Sequence, residues 1–304
     1  MSMTIGTAAA TTQLSASAPS QDAAPEDDSY ELEIRPRRGW ISVDWAEMSY
    51  FRELLYFLIW RDVKVRYKQT ALGVAWAVLV PVLNMMIFTV IFGNFAGVKN
   101  DLPVGMSYPV FVYAGLLPWT FFSSAISLGG LSLVASQTLI SKIYFPRLFV
   151  PASAVGGALV DLLISFGVTV ALLAWYHVMP TWSVLALIPL LLLLLLASLG
   201  IAFALSALTV TYRDFRFIVQ FMVQAWMFVS PVIYPVRIVP PRYQWALALN
   251  PMCGIIDGVR SALLGRLQPW HPMNLAISAA TSIALFVFGL YYFRKTERRF
   301  ADIA

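Results

Sequence analysis

Long uncharged apolar runs, separated by short charged joints, dominate the chain. LGVAWAVLVPVLNMMIFTVIFGNFAGV at 72–98 and WSVLALIPLLLLLLLASLGIAFALSALTV at 182–210 both exceed the roughly 20 residues that a helix needs to cross a bilayer. Six such runs predict six transmembrane helices, at about 72–97, 107–134, 148–176, 182–210, 216–235 and 272–293. They read as helices because backbone groups in lipid must bond within their own segment. Ahead of the first run the pattern changes. Phe51, Leu54, Leu55 and Leu58 recur at i, i+3, i+4 and i+7, which predicts an amphipathic helix along the membrane surface. The 236–271 connection is too long for a turn and too apolar for a solvated loop. WALALNPM and CGIIDGVRSALLG predict two short helices broken at Asn250-Pro251, either dipping into the outer leaflet and returning or lying flat on the surface.

The expected fold is therefore an all-α polytopic membrane protein with six spans, an N-terminal amphipathic interface helix and a re-entrant helical hairpin between spans 5 and 6. Its expected organisation is a disordered cytoplasmic tail at 1–40, the interface helix within 41–71 and a transmembrane domain over 72–304. Residues 1–30 are Ala/Ser/Thr-rich and then acidic, without a basic stretch leading into an apolar core, so they read as a tail and not a cleaved signal.

Composition agrees with the pattern. Of 304 residues 59% are hydrophobic and 12% charged, about half the charged share of soluble domains, which excludes an ordinary soluble globule. Charge then sets orientation. With six spans both termini share one side, and that side carries Arg52, Arg61, Lys64, Arg66, Lys68, Lys142, Arg147, Arg213, Arg216, Arg294, Lys295, Arg298 and Arg299. The other side holds Lys99, Arg237, Arg242, Arg260 and Arg266. Both termini are thus expected in the cytoplasm, in a multi-pass protein of the cytoplasmic (inner) membrane. The lone Cys253 excludes an internal disulfide, and the absence of clustered His gives no sign of a metal site.

Four places carry candidate chemistry. The bases Arg61, Lys64, Arg66 and Lys68 close the interface helix, either as an anchor to anionic lipid or as a docking surface for a cytoplasmic partner. In ASQTLISKIYFPR (135–147), Pro146 stops a helix while Lys142 and Arg147 flank Tyr144 and Phe145, either as an ordinary basic inside loop or as polar and apolar anchors. Asp161 is the only acidic residue deep in a span; a proton relay would need further ionisable groups, so a structural hydrogen bond to a neighbouring helix or water is favoured. Arg213-Asp214 reads as a local salt bridge shaping a tight turn.

The segments RYKQTALGVAWAVLVPVL (66–83), SKIYFPRLFVPAS (141–153), YRDFRFIVQFMVQAWMFVSPVIYP (212–235) and LNPMCGIIDGVRSALLG (249–265) follow one another in an order that resembles the type-2 ABC exporter permeases. Within that family the match is to polysaccharide exporters that move O-antigen, capsule or teichoic-acid chains. The resemblance implies a homodimer with one channel between the copies, two copies of a separate cytoplasmic ABC ATPase, and a lipid-linked polysaccharide as cargo, with no nucleic acid. It implies ATP and magnesium on the ATPase and no cofactor in this chain, in keeping with the lack of a G-x-x-x-x-G-K-[ST] loop. ATPase coupling is then expected at Arg61, Lys64, Arg66, Lys142, Tyr144, Phe145 and Arg147, and an outer gate at Asn250, Pro251, Asp257 and Arg260.

Aromatic residues make up 14% of the chain, and ring faces suit the C–H faces of sugars. The expected channel rings are Phe88, Phe92, Tyr113, Trp119, Phe122, Phe221, Trp226 and Tyr234, with core packing as the alternative for most single rings. The chain is read as a transport subunit and not an enzyme. Alternatives are an ABC exporter of a drug or lipid, a proton-coupled carrier, which would show buried ionisable groups and repeats, and a passive channel, which would show a filter.

Overall fold

The computed structural model describes residues 45–68, 73–103, 105–140, 142, 144–179, 181–212, 214–265 and 270–297. The expected tail and the Arg213-Asp214 bridge, through Arg213, lie outside these residues. Every regular element among them is helical. In chain order they are α1 (Trp45–Tyr50), α2 (Arg52–Lys68), α3 (Ala75–Phe88, continuing as a wider π-helical stretch Thr89–Phe95), α4 (Tyr108–Ala135), α5 (Gln137–Ile140), α6 (Phe149–Trp175) and α7 (Leu187–Thr211, entered through a 3₁₀ turn Trp182–Ala186). Then follow α8 (Phe215–Val229), α9 (Pro241–Ala248), α10 (Pro251–Leu264) and α11 (Pro272–Glu297).

Among the described residues five helices are long and apolar enough to cross a membrane: Ala75–Phe95, α4, α6, Trp182–Thr211 and α11. The predicted fifth span is shorter than the pattern suggested. α8 has 15 residues, roughly 22 Å at the helical rise, against about 30 Å of hydrocarbon. The apolar run continues to 235, but Pro231 and Pro235 cannot carry the helix on, and the chain leaves it at Ser230 in an extended conformation. The predicted break at Asn250-Pro251 is real: α9 and α10 meet there at 98°. Pro251 occupies the first turn of α10, and the Asn250 side chain caps it by accepting from the Met252 N–H at 3.0 Å. All of α10 is buried, so it does not lie flat on the surface.

α4 is the central post, buried for most of its length and packed against α3, α6, α7, α8 and α10. Without a hydrophobic force between helices in lipid, close packing of small residues holds such a bundle. α7 and α11 cross where Gly200 meets Gly289, and a Cβ on Gly200 would stand 2.5 Å from the Leu285 carbonyl oxygen and the Phe286 Cα. No side chain can enter that crossing without parting the helices.

About one turn along from that crossing Leu58, Leu133, Phe145, Phe149, Phe203 and Phe293 form one buried cluster. It joins α2, the loop before α6, and the ends of α4, α7 and α11. The predicted stripe of α2 packs here: Leu58 is buried, and Phe51, Leu54 and Leu55 lie against the cluster. That stripe therefore serves the protein's own base. What α2 offers outward is Tyr56, Phe57 and Trp60, all more than half exposed.

Candidate functional surfaces

α2 rises along α6. Ile59 sits over Gly156, Ser153 donates to the Asp62 carboxylate at 3.2 Å, and Asp161 accepts from both Arg66 and Tyr67. Burial, and then the hydrogen bond to Asp161, push the Tyr67 phenol up to about 12, so it keeps its proton and donates. Asp161 thus finds its donors on a neighbouring helix, and the acidic group deep in the chain is balanced locally. Arg61 pairs with Asp62 at 2.8 Å.

The residues expected to meet an ATPase divide into two sets. Arg61, Lys64, Lys142 and Tyr144 are exposed. The Tyr144 hydroxyl reaches Glu47 Oε1 at 3.4 Å. Arg66, Phe145 and Arg147 are turned inward: Arg66 toward Asp161, Phe145 into the basal cluster, and Arg147 Nη1 to the Glu297 carbonyl at 3.2 Å. These three shape the surface from behind. Sequence position alone does not separate the sets, because alternation in a short loop has no period long enough to read.

The four residues expected at an outer gate lie together on α10 and its cap. Asn250 is a junction: its Oδ1 accepts from Trp226 Nε1 at 3.0 Å, and its Nδ2 donates to Ser230 Oγ at 2.8 Å. Arg260 is fully buried. Its guanidinium donates to the carbonyls of Phe111 (3.1 Å), Pro231 (2.7 Å) and Val232 (2.5 Å), and lies 3.7 Å from the centre of the Phe111 ring. A planar fork with five donors can hold three carbonyls at once, so Arg260 fixes the turn at 230–232 to α4 and α10. Asp257, one turn earlier and buried, accepts from His271 Nδ1 at 2.6 Å when that nitrogen carries the proton. The group is a clasp, since each polar atom is engaged by backbone or by a neighbour.

Of the eight expected channel rings, Tyr113, Trp119 and Phe122 are buried inside the subunit. Phe122 meets Trp226 edge-on at 5.3 Å, and Phe88 meets Phe92 at 5.9 Å. Tyr234 bonds the carbonyls of Phe228 and Val229. Phe221, 71% exposed, is the one ring of the eight that stands clear of its own subunit.

Exposed apolar side chains also occur on α6, α7 and α11, but two further open surfaces lie on α3 and α8. α3 exposes Leu79, Leu83, Met86, Ile87, Val90 and Ile91, and α8 buries only Val219. Along α8, Arg216, Gln220 and Gln224 are all exposed at spacings of four, one polar stripe on an otherwise apolar helix. Sequence reasoning passed over these two glutamines; the signal was two amides at helical spacing within an uncharged run. A third open feature is a groove of about 450 Å³ between α3, α4 and α6, ending at Arg66, Tyr67 and Asp161.

Comparison with known proteins fits this arrangement. The ABC-2 type transporter family matches residues 53–264. The O-antigen export system permease protein RfbA of Myxococcus xanthus is 29% identical over 258 residues, covering 84% of this chain and 97% of that protein. A protein of the same name from Klebsiella pneumoniae is 30% identical, covering 84% and 96%. The polysialic acid transport protein KpsM of Escherichia coli is 26% identical, covering 79% and 92%. With its multi-pass helical bundle and a match over most of its length, the chain belongs to the ABC-2 type transporter family.

Proposed function

We propose that this chain is the permease subunit of an exporter that passes a lipid-linked polysaccharide out through the cytoplasmic membrane. It works as a homodimer with two copies of a separate ATPase, which carries ATP and magnesium. The observation that carries this reading is the exposed polar stripe Arg216, Gln220 and Gln224 on α8. Uncompensated polar side chains are costly against lipid, so a stripe of them belongs beside water or a hydrophilic cargo. Two copies meeting through α3 and α8 would enclose such a path, and amides donate to and accept from sugar hydroxyls. The likeness, over 84% and 79% of this chain, to relatives named for O-antigen export and polysialic acid transport supports the cargo class.

The exposed bases Arg61, Lys64, Lys142, Arg216 and Lys295 support a cytoplasmic basal end and cytoplasmic termini. An ATPase bound there would push on α2 and the 142–147 loop. Arg66 to Asp161 and Arg147 to Glu297 would carry that motion into α6 and α11. One observation favours the alternative cargo: with Tyr113, Trp119 and Phe122 buried, few rings remain to line the path, as a lipid or drug exporter would have it.

The test is genetic and biochemical. Deleting the gene should remove a surface polysaccharide and leave its lipid-linked form inside the cell. The purified chain should hydrolyse no ATP alone and should copurify with an ATPase in equal number. Unchanged surface polysaccharide with a changed lipid or drug profile would favour the alternative cargo; ATP hydrolysis by the isolated chain would end the division of labour.

A further inference from the structure

The groove between α3, α4 and α6 has a composition unlike a gap left by loose packing. Trp76 and Trp119 line it together with Asn84, Thr120, Ser124 and Ser165, and the Arg66–Asp161–Tyr67 knot closes one end. Asn84 lies midway along the first span, and Thr120 and Ser124 lie midway along α4, so these groups sit at membrane depth. The Thr120 hydroxyl donates to the Leu117 carbonyl at 3.1 Å, which leaves its oxygen able to accept. Asn84 and Ser124 have no hydrogen-bond partner among the described residues. Unpartnered amide and hydroxyl groups at this depth are costly against acyl chains, so the groove suits an occupant that can hydrogen-bond.

The chemistry narrows that occupant. An anion would meet the Asp161 carboxylate and a cation the Arg66 guanidinium, and the two cancel where they pair. What remains is a mostly apolar wall, with Val80, Pro81, Leu116, Leu162 and Met227, that carries the edges of two indoles, an amide and several hydroxyls around neutral space, a mixture suited to the C–H faces and hydroxyls of a sugar ring. At about 450 Å³ the space falls within the range of small-molecule sites and fits a short stretch of glycan, not a folded polymer. We propose that this groove is a saccharide-binding subsite that holds a neutral sugar unit of the cargo beside the base of α3, before the chain enters the path between the two copies. The proposal rests on the export reading above and names a place that reading does not.

The experiment measures surface polysaccharide on intact cells with a lectin or antibody against the host's own glycan, together with the lipid-linked glycan retained inside. The double variant Asn84→Leu/Ser124→Ala keeps shape and removes the two free polar groups. It should lower the export rate roughly tenfold, the effect of losing one or two hydrogen bonds in a shielded site, at unchanged protein level and unchanged copurification with the ATPase. Asn84→Gln/Ser124→Thr, which keeps the donors and acceptors, should restore most of it. Ser124→Phe, which fills the groove, should block export. Wild-type export from Asn84→Leu/Ser124→Ala overturns the proposal: if Ser124→Phe still blocks, the space serves helix movement, and if it does not, the groove is passive. Should Ser124→Phe fail to accumulate, the shape-keeping double variant decides alone. Failure of the export reading is seen separately, as surface polysaccharide that survives deletion of the wild-type gene.

Discussion

Arg260 shows how much a single side chain fixes. Three carbonyls from two segments converge on one buried guanidinium, and the Phe111 ring covers its face. Arg260→Lys keeps the charge but offers one compact ammonium to acceptors placed for a fork, so at least one carbonyl loses its partner. Arg260→Met removes the charge and strands all three. We expect Arg260→Met to lose roughly 3–5 kcal/mol, the range for breaking a buried charged network, and Arg260→Lys to fall between it and wild type, read as thermal unfolding of the purified protein. Equal melting of all three would mean the carbonyls are satisfied otherwise. The sequence marked Arg260 as a base on the outer side but could not disclose its partners, because they are backbone atoms of residues 28 to 149 positions away. Asp161 was more legible: a lone carboxylate in an apolar run demands a donor, and α2 brings two. Asp161→Ala leaves Arg66 and Tyr67 without their acceptor at a site about a quarter exposed, so a loss of about 1–2 kcal/mol is expected. A neutral effect would assign the pair no structural share.

At the scale of elements, periodicity located most helices well and misread what α2 faces. Phe51, Leu54, Leu55 and Leu58 gave the right helix, yet a pattern shows only that a face is apolar, not whether lipid or protein covers it. The decisive residue is on α6, where Gly156 makes room for α2. A Cβ on Gly156 would stand 2.7 Å from Ile59 Cδ1. Gly156→Val should therefore lift α2 from α6, at about 1–3 kcal/mol of overpacking, and weaken copurification with the ATPase by moving the surface rather than by changing its charge. Charge reversal at the exposed Lys64 and Lys142 should weaken the same copurification in a salt-dependent way, as rim charges do. Salt-independent binding in the charge-reversed variant would remove these bases from the interface. α8 was misjudged in length for a related reason: Ser230-Pro231-Val-Ile-Tyr-Pro235 is as apolar as a helix, and only the two prolines betray that it is not one.

For the whole molecule the question is which surfaces face lipid and which face the path, and exposure alone does not answer it. α6 exposes Leu163 at 70% and α8 exposes Phe221 at 71%, nearly the same figure. What differs is the company: Leu163 lies among aliphatic neighbours, while Phe221 stands next to Gln220 and a turn from Gln224. If α3 and α8 enclose the path between two copies, water must reach Gln220 and Gln224 and must not reach Leu163. The chain suits a thiol test because its single native Cys253 is buried and adds little background. Single cysteines at Gln220, Gln224 and Leu163, in the assembled complex with its ATPase, should separate under a membrane-impermeant maleimide. The thiolate is the reactive form and needs water to ionise, so Gln220→Cys and Gln224→Cys should label many times faster than Leu163→Cys. Cargo held in the path should slow the first two and leave the third unchanged. Equal labelling at all three positions would place α8 against lipid, and the path would then have to be sought on another face of the bundle.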